Sequence, residues 1–204
     1  DRSGMLNVSL IGYTNAGKST LFNVLSKSNV HAANQLFATL DTTSRKVFLA
    51  EGKNMILSDT VGFINKLPHG LIEAFKATLQ ETIHADLLIH VIDYADENWR
   101  SHMNDVELVL TEVKAQGVAR INLFNKIDVK GIDPRVEHDQ YGRIINVWTS
   151  AENKKGLNFL KQAVLSHISY NGNVDTKDNL DSCLNSTKSL VLEKDKLPST
   201  ESLL

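Results

Sequence analysis

Two rhythms of apolar residues alternate along this chain. Short, mostly apolar runs at 6–11, 42–49, 55–57, 87–93, 120–124 and 143–148 have the length and side-chain character of strands. Between them residues recur at helical spacing: Leu21, Phe22 and Leu25; then Leu71, Phe75, Thr78 or Leu79, and Thr82, for a helix over about 71–84; then Val106, Val109, Leu110 and Val113; and finally Leu157, Leu160, Val164 and Ile168. Glu51-Gly52-Lys53-Asn54 is turn chemistry, which makes 42–49 and 55–57 an antiparallel hairpin. Gly117 stands where it can cap the third helix. The run 87–93, bounded by charges, has the look of a central parallel strand covered on both faces. The alternation predicts an α/β fold, a doubly wound and mostly parallel six-stranded sheet with one antiparallel strand.

Two stretches follow neither rhythm. Residues 29–40 carry no period and form a candidate switch segment, and 129–140 are polar with Pro134 and predict no element. From Asn171 onward Asn, Asp, Ser, Thr and Lys dominate, too polar to bury a face. The predicted organisation is one folded domain over 1–170 and a polar tail over 171–204. The tail reads as a linker towards a further C-terminal region, with a partner-binding segment around Leu184, Leu190, Val191 and Leu192 as the alternative.

Composition narrows the class. With 204 residues, 42% hydrophobic and 23% charged, the chain suits a globular domain, and no run approaches the apolar length of a membrane span. Cys183 is the lone cysteine, so there is no intramolecular disulfide framework, and Asp1-Arg2-Ser3-Gly4 lacks the apolar core of a secretion signal. The expected location is the cytoplasm, free or peripheral to a membrane. A net charge of −2 gives no global attraction to nucleic acid, and no sequence-specific nucleic-acid reading is expected of this domain. The start without methionine, close before the first strand, suggests a piece of a longer protein. The seven histidines include none spaced i, i+4, which argues against zinc. Trp99 and Trp148 read as packing residues, and Tyr13 falls near the loop chemistry described next.

Gly12-Tyr13-Thr14-Asn15-Ala16-Gly17-Lys18-Ser19-Thr20 fits G-x-x-x-x-G-K-[ST] and lies between a strand and a helix. Its glycines let successive backbone N–H groups face one anion, the helix adds its positive N-terminus, Lys18 reaches the outer phosphates and Ser19 can bind Mg²⁺. Asp59-Thr60-Val61-Gly62, at the end of the next parallel strand, supplies a second acid for the metal through water and a glycine N–H for a γ-phosphate. Asn125-Lys126-Ile127-Asp128 also follows a strand, where a carboxylate can accept two hydrogen bonds from guanine that adenine cannot offer. Ser150-Ala151-Glu152 is placed to pack on the other side of the base. The expected ligands are GTP and GDP with Mg²⁺.

In this order the motifs resemble a translation-factor-class GTPase over about 6–168. The wording Gly12 to Ser19, Phe37-Ala38-Thr39-Leu40-Asp41, Asp59 to Ile64 with Leu67-Pro68-His69, and Ala74 to Glu81 is similar to the HflX family. That resemblance implies the P-loop NTPase fold of a Ras-like G domain, with Thr39 joining Ser19 and Asp59 at Mg²⁺. It also implies a large-ribosomal-subunit partner, a role in rescuing or splitting stalled ribosomes, and an N-terminal domain, absent here, that takes part in docking. Many GTPases orient the attacking water with a glutamine directly after D-x-x-G, and here that residue is Phe63. Slow hydrolysis is therefore expected unless a partner stimulates it, with Asn15, Lys18, Thr39 and Gly62 as the catalytic candidates. In relatives without the glutamine, an asparagine at the place of Asn15 helps hold K⁺ against the phosphates, so K⁺-assisted hydrolysis is expected; a bracing role for Asn15 is the alternative. The rival function is a nucleotide-dependent assembly module with negligible turnover.

Overall fold

The computed structural model describes residues 5–27, 43–50, 52–60, 62 and 82–171. Within them the strands are β1 (Leu6–Ile11), β2 (Thr43–Ala50), β3 (Lys53–Asp59), β4 (Leu87–Asp93), β5 (Arg120–Asn125), β6 (Arg135–His138) and β7 (Ile144–Trp148). The helices are α1 (Lys18–Ser26), α2 (Trp99–Glu112) and α3 (Leu157–Asn171), with a 3-10 turn at Ile127–Lys130. The strands form one sheet in the order β2-β3-β1-β4-β5-β7-β6, in which β2 and β6 run antiparallel to their neighbours and the inner pairs are parallel.

Alternation within each strand builds two apolar layers. Leu10, Leu57, Ile89, Leu123 and Val147 face a core closed by Leu21 and Phe22 of α1 and by Leu160 and Val164 of α3. Ile11 and Leu88 point the other way, onto Val106, Val109 and Leu110 of α2. β4, fourth of seven, is buried from Leu87 to Ile92 because helices cover both its faces, as its apolar run predicted. The register aligns Leu10 with Asp59, Ile11 with His90, Asp93 with Asn125 and Phe124 with Trp148, so the candidate residues share one end of the sheet. β1 lies where the chain, having built β3 and β2 on one side, returns to build β4, β5 and β7 on the other. That reversal opens the crevice in which α/β sheets bind ligands.

Two expectations need correction. The sheet has seven strands rather than six, with a second antiparallel edge, because Arg135–His138 pairs with β7 despite its exposed, charged face. Its one partly buried apolar residue, Val136, and the preceding Pro134 hid it from a periodicity test. α2 is capped at Val113, with Lys114, at φ 61°, as the left-handed residue after it, rather than by Gly117. Lys114 N–H bonds Thr111 O at 3.1 Å and Ala115 N–H bonds Leu110 O at 2.8 Å, a full Schellman pair that offsets the left-handed strain of a lysine. Of the helix expected over 71–84, residues 71–81 lie outside the described residues, as do the candidate switch 29–40 and the tail from 172.

Candidate functional site

The loop 12–17 joins β1 to α1 and is shaped by backbone freedom. Gly12 (φ 145°), Asn15 (φ 60°) and Gly17 (φ 95°) all have positive φ. A Cβ on Gly12 would sit 2.2 Å from Val91 O of β4, and one on Gly17 would sit 2.3 Å from Asn125 Nδ2, so both glycines are needed for space as well as rotation. Asparagine tolerates the left-handed region, which suits the exposed Asn15 at the loop's tip. Tyr13 and Thr14 are half-buried, and Ser19 and Thr20 lie in the first turn of α1. Lys18 is 6% exposed, and its ammonium donates to Gly12 O at 3.1 Å and Tyr13 O at 3.0 Å. Burial pushes its pKa down to about 8, and the nearby Asp59 carboxylate works against that fall.

Asp59 ends β3 and is 1% exposed. Thr60 does not face a ligand with its hydroxyl, which donates to Leu10 O at 2.5 Å and fastens the strand ends together. Gly62 sits so close to the loop that a Cβ would lie 3.0 Å from both Lys18 Nζ and Thr14 Cγ2. The tip of Lys18, the loop and the glycine expected to meet a γ-phosphate are thus neighbours. Ser19 and Asp59 carry oxygen ligands, the hard donor type that Mg²⁺ takes. Phe37, Ala38, Thr39, Leu40, Asp41 and Val61, predicted to belong here, lie outside the described residues.

Asn125, at the end of β5 and 2% exposed, is a latch. Its Nδ2 donates to Ala16 O at 2.9 Å and its Oδ1 accepts from Ala151 N–H at 2.9 Å, so one amide ties the phosphate loop to the Ser150-Ala151-Glu152 loop. Lys126, at φ 64°, pairs through Nζ with Asp93 Oδ2 at 2.7 Å. Ile127 is buried with Phe124 and Trp148, so it anchors the turn in the core. Asp128 is left exposed on that turn. Ser150 is buried, pairs with Lys155 and accepts Asn153 N–H at 3.0 Å through Oγ; Ala151 is buried and Glu152 exposed. The structure therefore brings Ala16, Asn125 and Ala151 together through bonds among themselves.

Three contributors escaped sequence reasoning. Asp93 is the partner of Lys126 and ends β4, a position the strand boundary alone marks. His90, 3% exposed within β4, is held neutral: burial pushes its pKa down to about 3, helped by Arg120 and Lys18. His102 of α2 stacks on Tyr13, a contact no local motif announces.

With this geometry in hand, relatives are informative. Residues 7–126 match the family described as 50S ribosome-binding GTPase. The chain is 48% identical over 163 residues to GTPase HflX of Escherichia coli, covering 79% of this chain and 38% of that protein. It is 52% identical over 124 residues to GTPase HflX of Magnetococcus marinus, covering 61% and 29%. The chain belongs to this GTPase family, in its HflX branch.

Membership accounts for the order of the three motifs and for the sheet. The chain spans under two-fifths of the length of those two HflX relatives. A GTP-binding protein of Sulfolobus solfataricus in complex with GDP shares the fold at TM-score 0.63 and 24% identity, covering 81% of this chain and 53% of its own. The FeoB G-domain of Methanococcus jannaschii does so at TM-score 0.57 and 23% identity, covering 81% and 98%. Among the described residues no helix is long and apolar enough to cross a membrane.

Proposed function

We propose that this HflX-branch domain binds GTP and GDP with Mg²⁺ and hydrolyses GTP, serving as a switch on the large ribosomal subunit. The observation that carries the reading is the Asn125 latch, since it joins a phosphate loop to the two loops that would flank a guanine. In this reading the amides of 13–19 and Lys18 bear the phosphate charge, and Asp128 accepts from guanine while Ala151 and its neighbours cover the base. Ser19, Thr39 and Asp59 are the residues that would hold Mg²⁺. Held there, Mg²⁺ would supply positive charge against the charge that develops as the phosphoryl group transfers. Lys18 already lies beside Gly62, so a γ-phosphate entering between them meets an ammonium and a backbone N–H at once. Phe63 cannot orient water, and the exposed Asn15 would help hold a K⁺ that supplies positive charge there.

The proposed folded unit is 1–170, with 171–204 as linker. A reading in which the domain binds nucleotide and assembles without turnover is favoured by Phe63 alone. Phosphate release measured in K⁺ and in Na⁺, with and without large ribosomal subunits, decides. Turnover stimulated by subunits and higher in K⁺ is expected. Tight guanine-selective binding with no phosphate release under any condition would establish the assembly module instead, and equal rates in the two salts would remove K⁺.

A further inference from the structure

A crevice between the phosphate loop, the end of β4 and α2 is lined by Tyr13, Thr14, His90, Asp96 and His102 among others. Across it the Tyr13 and His102 rings lie nearly parallel, 7° apart, with centroids separated by 3.8 Å. His102 is itself fixed: it sits in the first turn of α2, and its Nδ1 lies 3.3 Å from Asp96 Oδ2. Asp96 Oδ1 in turn accepts Asn98 N–H at 2.8 Å, at the start of the same helix. On the other side of the stack, Tyr13 O accepts both the Lys18 ammonium at 3.0 Å and Ala16 N–H at 3.3 Å. One peptide of the phosphate loop therefore carries two internal bonds of the loop, and its side chain is clamped to a helix over 80 residues later in the chain.

From this geometry we infer that His102 is a positioning residue for nucleotide binding, acting through Tyr13. The stack fixes the Gly12-Tyr13-Thr14 turn, whose Tyr13 carbonyl holds the Lys18 ammonium at the loop. Without it the turn keeps its positive-φ glycine hinge at Gly12 but loses its outer anchor, and ordering must then be supplied from binding energy. The inference rests on the reading of this loop as a nucleotide site.

The test is a double-mutant cycle on GDP affinity in the 204-residue chain, read with a fluorescent GDP analogue and with melting temperatures taken alongside. Aromatic pairs of this kind translate into weakening of about fivefold for His102→Ala and for Tyr13→Ala. In the Tyr13→Ala background, His102→Ala should cost nothing more. His102→Phe keeps a planar ring but not the Asp96 contact, and it should restore affinity to within about twofold of the unaltered chain. If His102→Ala does not fold, His102→Gln, polar but without a ring, replaces it with the same expected loss. Unchanged affinity in His102→Ala, additive losses in the double mutant, or a His102→Phe chain as weak as the alanine variant would each overturn the inference. A chain that melts lower but binds GDP normally would do so too, leaving His102 a helix-stabilising residue. Failure of the unaltered chain to bind GDP overturns the reading of the site and this inference with it; intact GDP binding with an inert His102→Ala removes the inference alone.

Discussion

The two ends of the candidate site are held by opposite means. The phosphate loop is shaped first by glycines with no room for another carbon, against Val91 O on one side and Asn125 Nδ2 on the other, and Lys18 closes it by bonding back to two of its carbonyls. The base end is shaped by side chains: the two bonds of Asn125, and the ion pair of Lys126 with Asp93. One region tolerates no added atom, the other no lost polar group. The reason is what each must do. Backbone N–H groups wrap an anion closely when side chains are absent, whereas a flat base is held by loops that something else must keep in place.

The largest effect should come from adding one methyl to the phosphate end. Gly12→Ala meets Val91 O at 2.2 Å and demands φ 145° of an L-residue. A loss of at least about 3 kcal/mol and of detectable GDP binding is expected; near-normal melting and binding would show that the loop can shift. Next comes removal of the latch. Asn125→Ala adds no clash but leaves Ala16 O and Ala151 N–H buried without a partner, a cost of about 2–4 kcal/mol readable by denaturant unfolding. The same variant sharpens the contrast, because it removes the atom that a Gly17→Ala methyl would strike at 2.3 Å. Gly17→Ala should therefore cost less in the Asn125→Ala background than alone, and simple additivity would show the two ends to be independent.

Smaller still is a protonation effect confined to the phosphate end. Lys18 has a pKa of about 8 without ligand, and a bound polyanion favours its charged form, so the pKa rises on binding. Below pH 8 it is already protonated and contributes no pH dependence. Above it, affinity should fall by up to about tenfold per pH unit, with close to one proton taken up per nucleotide at pH 9. Calorimetry in two buffers of different ionisation enthalpy reads this directly, and zero uptake at pH 9 would remove the assignment. In the unliganded chain the same group costs stability below pH 8 and relieves that cost as pH climbs towards 10.5. The smallest effect belongs to the base end: Lys126 and Asp93 are 35% and 21% exposed, so Lys126→Ala should cost about 0.5–1 kcal/mol.

The comparison also explains which parts of the site could be read early. Gly12, Gly17, Lys18 and Asp59 were legible because their chemistry depends on position next to a strand end, and strand ends show in local periodicity. Asn125 was legible as a motif member but not as a latch. Its partners lie 109 and 26 residues away, and nothing near it in the chain points to either. β6 was missed for a related reason, since its pairing with β7 stabilises a segment whose own pattern is that of a polar loop. Lys114 took the left-handed cap in place of Gly117 because two Schellman bonds outweighed its intrinsic preference.

By itself the sequence determined the alternation of strands and helices, the phosphate loop with its glycines, and the order of motifs that places this chain in the HflX branch. Those features follow from spacing along the backbone, which the sequence states outright. Only the tertiary structure decided that Asn125 joins two loops, that Tyr13 rests on His102, that Lys126 answers Asp93, and that Lys18 and His90 hold their protons less firmly than free side chains do. Hydrogen-bond partners, ring contacts and desolvation are properties of neighbours in space. A chain that folds back on itself brings those together from positions that its order keeps far apart.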